Sequence, residues 1–114
     1  QLVSIAQTLV REPEILLMDE PTSALDMHRQ VQVLNFMRSL ARTREVIVFI
    51  AIHDLNQALR FADQVLVIAD GTTQGSGPSH EVITKGMLRS VYQVEARIEH
   101  CSRGLWHIVI DDIV

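Results

Sequence analysis

Residues Ile15–Asp26 have the sequence Ile-Leu-Leu-Met-Asp-Glu-Pro-Thr-Ser-Ala-Leu-Asp. Four apolar residues lead directly into two neighbouring carboxylates, Asp19 and Glu20, and Pro21 then ends the extended segment. An apolar run of this kind is typical of a strand that is buried on both faces of a parallel sheet. The carboxyl ends of parallel strands form the edge at which open α/β sheets bind their ligands. The stretch therefore predicts an α/β fold with two carboxylates at that edge.

The two neighbouring acids differ in the chemistry they can perform. Successive side chains of an extended segment point to opposite sides, so Asp19 and Glu20 cannot have the same function. One carboxylate can bind a hard cation such as Mg²⁺ through oxygen, and the other can orient or deprotonate a water molecule. The alternative is that both are solvated acids that end a strand, and the acid pair alone leaves both interpretations open.

The hydrophobic pattern around this stretch predicts helices that alternate with strands. The predicted elements are a helix over 2–11, strands over 15–18 and 46–52, a helix over 27–43, a helix beginning at Leu55 and a strand over 65–69. This order implies right-handed crossovers and a parallel sheet flanked by helices.

The C-terminal part of the chain has a different pattern. Asp70-Gly71 is a hairpin turn signal, so the segment 72–77 is predicted to return antiparallel to the preceding strand. Two short helices should follow, one beginning at Ser79 and one over 85–91. The tail should form a small antiparallel hairpin around Ser102–Gly104, with Trp106 in its second arm. We expect a single domain with a core over 1–78 and a C-terminal part over 79–114.

Composition limits the function classes. The chain has 114 residues, a hydrophobic fraction of 47% and a net charge of −4 without a basic run, so nothing favours nucleic-acid binding. The longest apolar run, Val46–Ile52, is far shorter than the roughly 20 residues of a membrane-spanning helix. Cys101 is the only cysteine, which excludes an internal disulfide and predicts an ordinary thiol.

Residues Leu16–Asp26 closely resemble the Walker B motif and the following D-loop of the ATP-binding-cassette (ABC) ATPases, with Met18 where leucine is usual. Upstream, Gln1–Leu9 is similar to the helix that follows the Leu-Ser-Gly-Gly-Gln signature of the family, although Gln7 replaces the common arginine. The resemblance continues downstream through Ile52–Asp54 and Ala69-Asp70-Gly71. It covers nearly the whole chain and implies a partial P-loop NTPase-type fold, a parallel sheet flanked by helices with a C-terminal antiparallel hairpin.

The resemblance also implies roles for individual residues. Asp19 would act on the Mg²⁺ bound to ATP, usually through water, and Glu20 would polarise the attacking water. His53 follows an apolar strand, in a context similar to the H-loop, where the imidazole contacts the γ-phosphate. A structural histidine is the alternative, and Ala51 departs from the frequent serine or threonine.

Asp26 has a complete structural explanation as the N-cap of the helix over 27–43. The resemblance adds that this D-loop aspartate lies at a dimer interface near the nucleotide and communicates with the partner's site, and both roles are compatible. The remaining histidines show no metal-ligand spacing and are predicted to lie on the surface; they are His28, His80, His100 and His107.

The chain contains no Gly-x-x-x-x-Gly-Lys-Ser/Thr sequence and no Leu-Ser-Gly-Gly-Gln signature. We therefore expect it to be the C-terminal half of an ATPase subunit that hydrolyses no ATP alone. An incomplete core should expose apolar faces and strand edges, which predicts a dimer or a higher oligomer of the isolated chain.

The resemblance implies an ATP-hydrolysing subunit that acts as a homodimer on transmembrane permease subunits at the cytoplasmic face of the membrane. His53–Asp63 and Val91–Glu95 are similar to importers of iron chelates, haem and cobalamin, which work indirectly with a periplasmic or surface substrate-binding protein. Two alternatives remain open, namely a non-transport ABC ATPase of DNA repair or translation, and a truncated cassette that acts as a non-enzymatic dimerising module.

Overall fold

The computed structural model describes residues 2–114, so the expectation for Gln1 lies outside the described residues. The chain forms two compact units, one ending at His53 and one over Asp54–Val114, and each is described separately. In chain order the elements are α1 (Leu2–Leu9), β1 (Ile15–Asp19), α2 (Met27–Thr43), β2 (Ile47–Ala51), α3 (Leu55–Phe61), β3 (Gln64–Ala69), β4 (Thr72–Pro78), α4 (Ser79–Val82), α5 (Lys85–Tyr92), β5 (Val94–His100) and β6 (Trp106–Ile113).

The first unit is built on the parallel pair of β1 and β2. The two strands are in register from Ile15 opposite Ile47 to Asp19 opposite Ala51, so their carboxyl ends coincide. One face of this pair packs against the apolar stripe of α2, as the helical spacing predicts. The core cluster consists of Ile5, Leu16, Val33, Met37, Leu40 and Val46.

The opposite face of the β1–β2 pair is exposed. Leu17 retains 75% of its accessible surface and Phe49 retains 57%. Burial on both faces is therefore a wrong expectation for β1 and β2 within the described residues. Side chains alternate along a strand, and α2 covers only the side on which Leu16 and Met18 lie. The predicted exposure of apolar faces in this chain is confirmed.

The second unit contains two antiparallel hairpins. β3 and β4 pair through the Asp70-Gly71 turn, where both residues have the positive φ of a type I′ turn, 53° and 73°. The predicted hairpin is confirmed. The prediction that β3 continues the parallel sheet is wrong, because within residues 2–114 β3 is hydrogen-bonded only to β4, in a two-stranded sheet. Pairing across a two-residue turn requires little loop-closure entropy, which favours this local partner.

β5 and β6 form the C-terminal hairpin, and its apolar face packs against α3 and α5. Ala96 and Ile108 are buried on that face, and Leu88 of α5 is fully buried. Asn56 of α3 fixes β6 by pairing with one backbone residue: its Oδ1 accepts from the Ile108 N–H at 2.8 Å and its Nδ2 donates to the Ile108 carbonyl at 3.4 Å. The predicted tail hairpin is confirmed, with Trp106 as the first residue of the second strand.

None of the helices in residues 2–114 is both long and apolar enough to cross a membrane. The unpaired Cys101 is exposed in the turn between β5 and β6, as predicted.

Candidate functional site

The carboxyl ends of β1 and β2 bring Glu20 and His53 together. The Glu20 N–H donates to the Ala51 carbonyl at 2.9 Å, which extends the strand pairing by one residue beyond Asp19. His53 follows the end of β2, and its Nε2 contacts Oε1 of Glu20 as an ion pair when the imidazole is protonated. The His53 side chain is 89% exposed and the Glu20 side chain 36%. A polar pair that is open on the imidazole side is accessible to a ligand.

The backbone of Glu20 is unusual. Its φ is 46°, in the left-handed region that residues other than glycine rarely adopt. Pro21 and Thr22, which follow, are buried, so the chain turns inwards directly after the carboxylate. Two consecutive turns then form, because the Ser23 N–H donates to the Glu20 carbonyl and the Leu25 N–H donates to the Thr22 carbonyl, each at 3.2 Å.

Asp26 ends this loop and begins α2. Its Oδ1 accepts from the Arg29 N–H at 2.9 Å, and its carbonyl accepts from the Gln30 N–H at 2.9 Å. The predicted N-cap is therefore confirmed. The cap uses Oδ1 of Asp26, and a carboxylate has a second oxygen that can accept hydrogen bonds. Asp26 is exposed at the start of the helix.

Asp19 lies at the last position of β1 and is exposed. Among residues 2–114, no cluster of three or more histidine, cysteine, aspartate or glutamate side chains could hold a metal ion by itself. Mg²⁺ commonly takes one or two carboxylates and completes its shell with water and substrate phosphates. The exposed Asp19 carboxylate is an oxygen donor of the type that such an ion takes.

The sequence predicts Asp19, Glu20 and His53 at one edge of a parallel sheet, and in the structure all three lie at the carboxyl ends of β1 and β2. Asp26 is joined to Glu20 through the loop 21–25. The catalytic, cofactor-binding and metal-binding roles of these four residues stay predictions. The other four histidines are exposed, as predicted: His28, His80, His100 and His107.

Sequence reasoning missed Gln30, whose side chain reaches back from α2 to the loop 20–26. The sequence feature that could have identified Gln30 is its position in the first turn of the helix that begins after Asp26. From there a long amide side chain can reach the preceding loop.

The parallel pair, its acidic carboxyl edge and the capped loop after it form an α/β arrangement of the kind that binds ligands at that edge. An uncharacterised ABC transporter ATP-binding protein of Methanocaldococcus jannaschii is 39% identical to this chain over 105 residues, 92% of the chain and 41% of that protein. The hemin import ATP-binding protein HmuV of Shewanella denitrificans is 36% identical over 111 residues, 96% of the chain and 44% of the relative. Over most of its length the chain is homologous to the ATP-binding subunits of ABC transporters.

A solved structure shows the same similarity. A metal-chelate-type ABC transporter in an inward-facing conformation superposes with a TM-score of 0.85 and 26% identity, covering 96% of this chain and 45% of that one. Further relatives, 37% and 35% identical, are named as petrobactin and cobalamin import ATP-binding proteins. No model of a protein family matches the chain. The chain spans less than half the length of the curated relatives it matches.

Proposed function

We propose that this chain is part of an ATP-hydrolysing subunit that energises the import of a metal chelate through an ABC transporter. The contact between Glu20 and His53 at the carboxyl ends of β1 and β2 supports this proposal most directly. It places a carboxylate able to accept a proton beside an imidazole able to donate to phosphate, at the sheet edge where α/β proteins bind nucleotides.

Glu20 would orient the water that attacks the γ-phosphate and accept its proton. His53 would hold the Glu20 carboxylate in place and donate a hydrogen bond to a γ-phosphate oxygen through the exposed part of its ring. Asp19 would bind the Mg²⁺ of the nucleotide through water, and that ion, when bound, offsets the negative charge of the phosphates. This division of labour agrees with phosphoryl transfer, in which positioning and charge stabilisation supply most of the catalysis.

The chain itself contains no phosphate-binding loop of the Gly-x-x-x-x-Gly-Lys-Ser/Thr kind. The proposal therefore assigns hydrolysis to a longer subunit, in which residues outside this chain grip the nucleotide and the 114-residue chain alone is inactive. The length of the relatives supports this assignment. The core over 1–78 and the C-terminal part over 79–114 would belong to one domain of that subunit.

Two copies of the subunit would act together, with Asp26 near the contact between them. The exposed position of Asp26 at the start of α2 is compatible with this role. The dimer would drive transmembrane permease subunits from the cytoplasmic face of the membrane, and a periplasmic or surface substrate-binding protein would deliver the cargo. The names of the relatives, which import hemin, petrobactin and cobalamin, support a metal chelate as the cargo class.

Steady-state hydrolysis of Mg-ATP by the purified full-length subunit tests the proposal. We expect turnover that requires Mg²⁺ and that rises when the subunit is assembled with its permease in lipid vesicles. Vesicles loaded with ATP should then accumulate a haem or siderophore complex. Failure of the full-length subunit to bind or hydrolyse ATP would contradict the enzymatic part, and hydrolysis without accumulation of any chelate would contradict the cargo.

A further inference from the structure

The side-chain amide of Gln30 joins helix α2 to the loop that follows Glu20. Its Nε2 donates to the Leu25 carbonyl at 2.9 Å and to the Thr22 carbonyl at 3.3 Å. A glutamine amide nitrogen has two hydrogens, so one side chain can serve both acceptors. Gln30 is partly buried, and within such surroundings hydrogen bonds are less exposed to competition from water.

The Thr22 and Leu25 carbonyls lie, in sequence, between the carboxylate residues Glu20 and Asp26. The Thr22 carbonyl also accepts the Leu25 N–H, which forms the second of the two turns between Glu20 and Asp26. Gln30 of α2 therefore hydrogen-bonds to two carbonyls of the loop. Burial of Pro21 and Thr22 also restrains the loop. Both interactions fix the loop.

The helix end of this connection is rigid. The Asp26 cap fixes the first turn of α2, and Val33 and Met37 of the same helix are buried in the core. A hydrogen bond from Gln30 thus transmits the position of a packed helix to the loop.

The loop end of this connection, at Glu20, has a backbone conformation that the surrounding structure must hold. Glu20 has a left-handed φ of 46°, and its carbonyl accepts the Ser23 N–H of the first turn. A non-glycine residue keeps such a backbone only when the surrounding structure determines it. Loosening the turns 20–25 would allow the Glu20 backbone to relax and its carboxylate to leave the position beside His53.

We propose that Gln30 is a positioning residue for ATP hydrolysis, which holds the Glu20 carboxylate in its productive orientation through the loop 20–25. The inference rests on the proposed ATPase function. It predicts that loss of the amide lowers kcat while nucleotide affinity stays nearly unchanged, because the amide donates to the Thr22 and Leu25 carbonyls of the loop.

The experiment compares Gln30→Met with Gln32→Met in the full-length subunit. Both variants replace a glutamine of α2 by the same residue, but Gln32 is exposed and serves as the matched control. We expect kcat of Gln30→Met to fall about tenfold or more, since small misplacements of reacting groups have effects up to roughly a hundredfold. The Kd for ATP should stay within about twofold, and Gln32→Met should match the wild type. Equal kcat values for the two variants would overturn the inference.

A second measurement separates this inference from the proposed function. Amide hydrogen exchange at Ser23 and Leu25 reports the turns directly and needs no activity. Gln30→Met should accelerate exchange at both amides by about tenfold relative to Gln32→Met. An inactive wild type would contradict the ATPase proposal, yet the exchange rates would still decide whether Gln30 holds the loop. Unchanged exchange would overturn the positioning role.

A variant that replaces the amide by a carboxylate tests whether the hydrogen-bond donor is required. Gln30→Glu keeps the length of the side chain but places a carboxylate oxygen against two carbonyl oxygens. Its kcat should fall below that of Gln30→Met at neutral pH. A value equal to that of the wild type would show that the donor atoms are not required and would overturn the inference.

Discussion

The imidazole of His53 contacts the carboxylate of Glu20, although one residue follows β2 and the other follows β1. The contact depends on the parallel register, which ends with Asp19 opposite Ala51, and on the single backbone hydrogen bond from Glu20 to Ala51 beyond it. Local sequence places each residue after an apolar run, and the strand pairing makes them neighbours.

Replacement of Glu20 tests its role as the base. In the full-length subunit, Glu20→Gln should retain ATP binding, because the amide fills the same volume, but it should lower hydrolysis by about 10²- to 10⁴-fold, the usual contribution of general base catalysis. Nucleotide binding and phosphate release measured on the same preparation separate the two effects. Glu14→Gln, at an exposed position before β1, is the matched control and should have normal activity. Normal turnover by Glu20→Gln would refute the assignment.

Replacement of His53 tests the orienting contact. His53→Ala should lower kcat by roughly 10²-fold, since removal of one positioned hydrogen-bond donor at a developing charge has an effect of that order. The matched control is His28→Ala, on the exposed side of α2. The measurement is steady-state ATP hydrolysis, with thermal unfolding of both variants to show that they fold. Identical kcat values for the two variants would leave His53 with a structural role only.

Two variants of Asp26 separate the helix cap from the carboxylate charge. Asp26→Ala should lower the free energy of unfolding by about 1 kcal/mol, because the Arg29 N–H loses its acceptor. Asp26→Asn should keep the cap and nearly all of the stability, since asparagine caps as well as aspartate. Urea denaturation measures both values. If Asp26→Asn has normal stability but reduced ATP hydrolysis, the charge acts beyond the cap; equal loss of stability in the two variants would contradict the capping geometry.

Two methionines of α2 allow the effect of a substitution on stability to be compared between the core and the surface. Met37 is 2% exposed and Met27 is 81% exposed. Met37→Ala should destabilise the protein by about 2–5 kcal/mol, the usual loss for a buried methionine. Met27→Ala should change stability by less than about 0.5 kcal/mol, as surface substitutions do. Denaturant unfolding of the two variants gives the comparison, and similar midpoints would show that α2 does not pack as described.

The ion pair between Arg97 and Asp111 on the C-terminal hairpin makes stability depend on pH. The Arg97 guanidinium binds both oxygens of Asp111, at 2.8 and 2.9 Å, and lowers the pKa of that carboxyl below its usual value. The ion pair therefore stabilises the fold above pH of about 4, the usual aspartate pKa, and this stabilisation is lost as the pH falls through the lowered value.

Titration of the Asp111 carboxyl by NMR should show the low pKa in the wild type and a return towards the ordinary value in Arg97→Met. The difference in stability between the two proteins should be small at neutral pH, because the pair is exposed, and should vanish in acid. Identical Asp111 titrations in the two proteins would contradict the ion pair.

Much of the local structure follows from the sequence. The range predicted for α2 agrees with the observed helix Met27–Thr43, and the Asp26 cap that begins it was predicted from its side chain. The Asp70-Gly71 turn and the tail hairpin were predicted as well, because their signals lie in a few consecutive residues. Of the candidate site residues, Asp19, Glu20 and Asp26 lie in one continuous stretch, Leu16–Asp26, and His53 lies in a second short stretch, Ile52–Asp54.

The sheet arrangement did not follow from the sequence. Apolar runs predict strands buried on two faces, yet the β1–β2 pair is covered on one face and β3 pairs with β4. Periodicity reports which side chains avoid water, but it does not report which element supplies the cover or which strand becomes the hydrogen-bonding neighbour. Those choices depend on long-range contacts.

The sequence by itself determined the resemblance to ABC ATPases, the order of most elements and the residue types available for chemistry, since these depend on local propensity and on short motifs. Only the tertiary structure decided that Glu20 contacts His53, that Glu20 has a left-handed backbone and that Gln30 holds the intervening loop. Each of these features requires the strand register or the packing of α2 on the sheet. Hydrogen bonds between segments need both partners held at the right distance, and hydrophobic burial supplies most of the free energy that holds them, so no single stretch of sequence specifies these bonds.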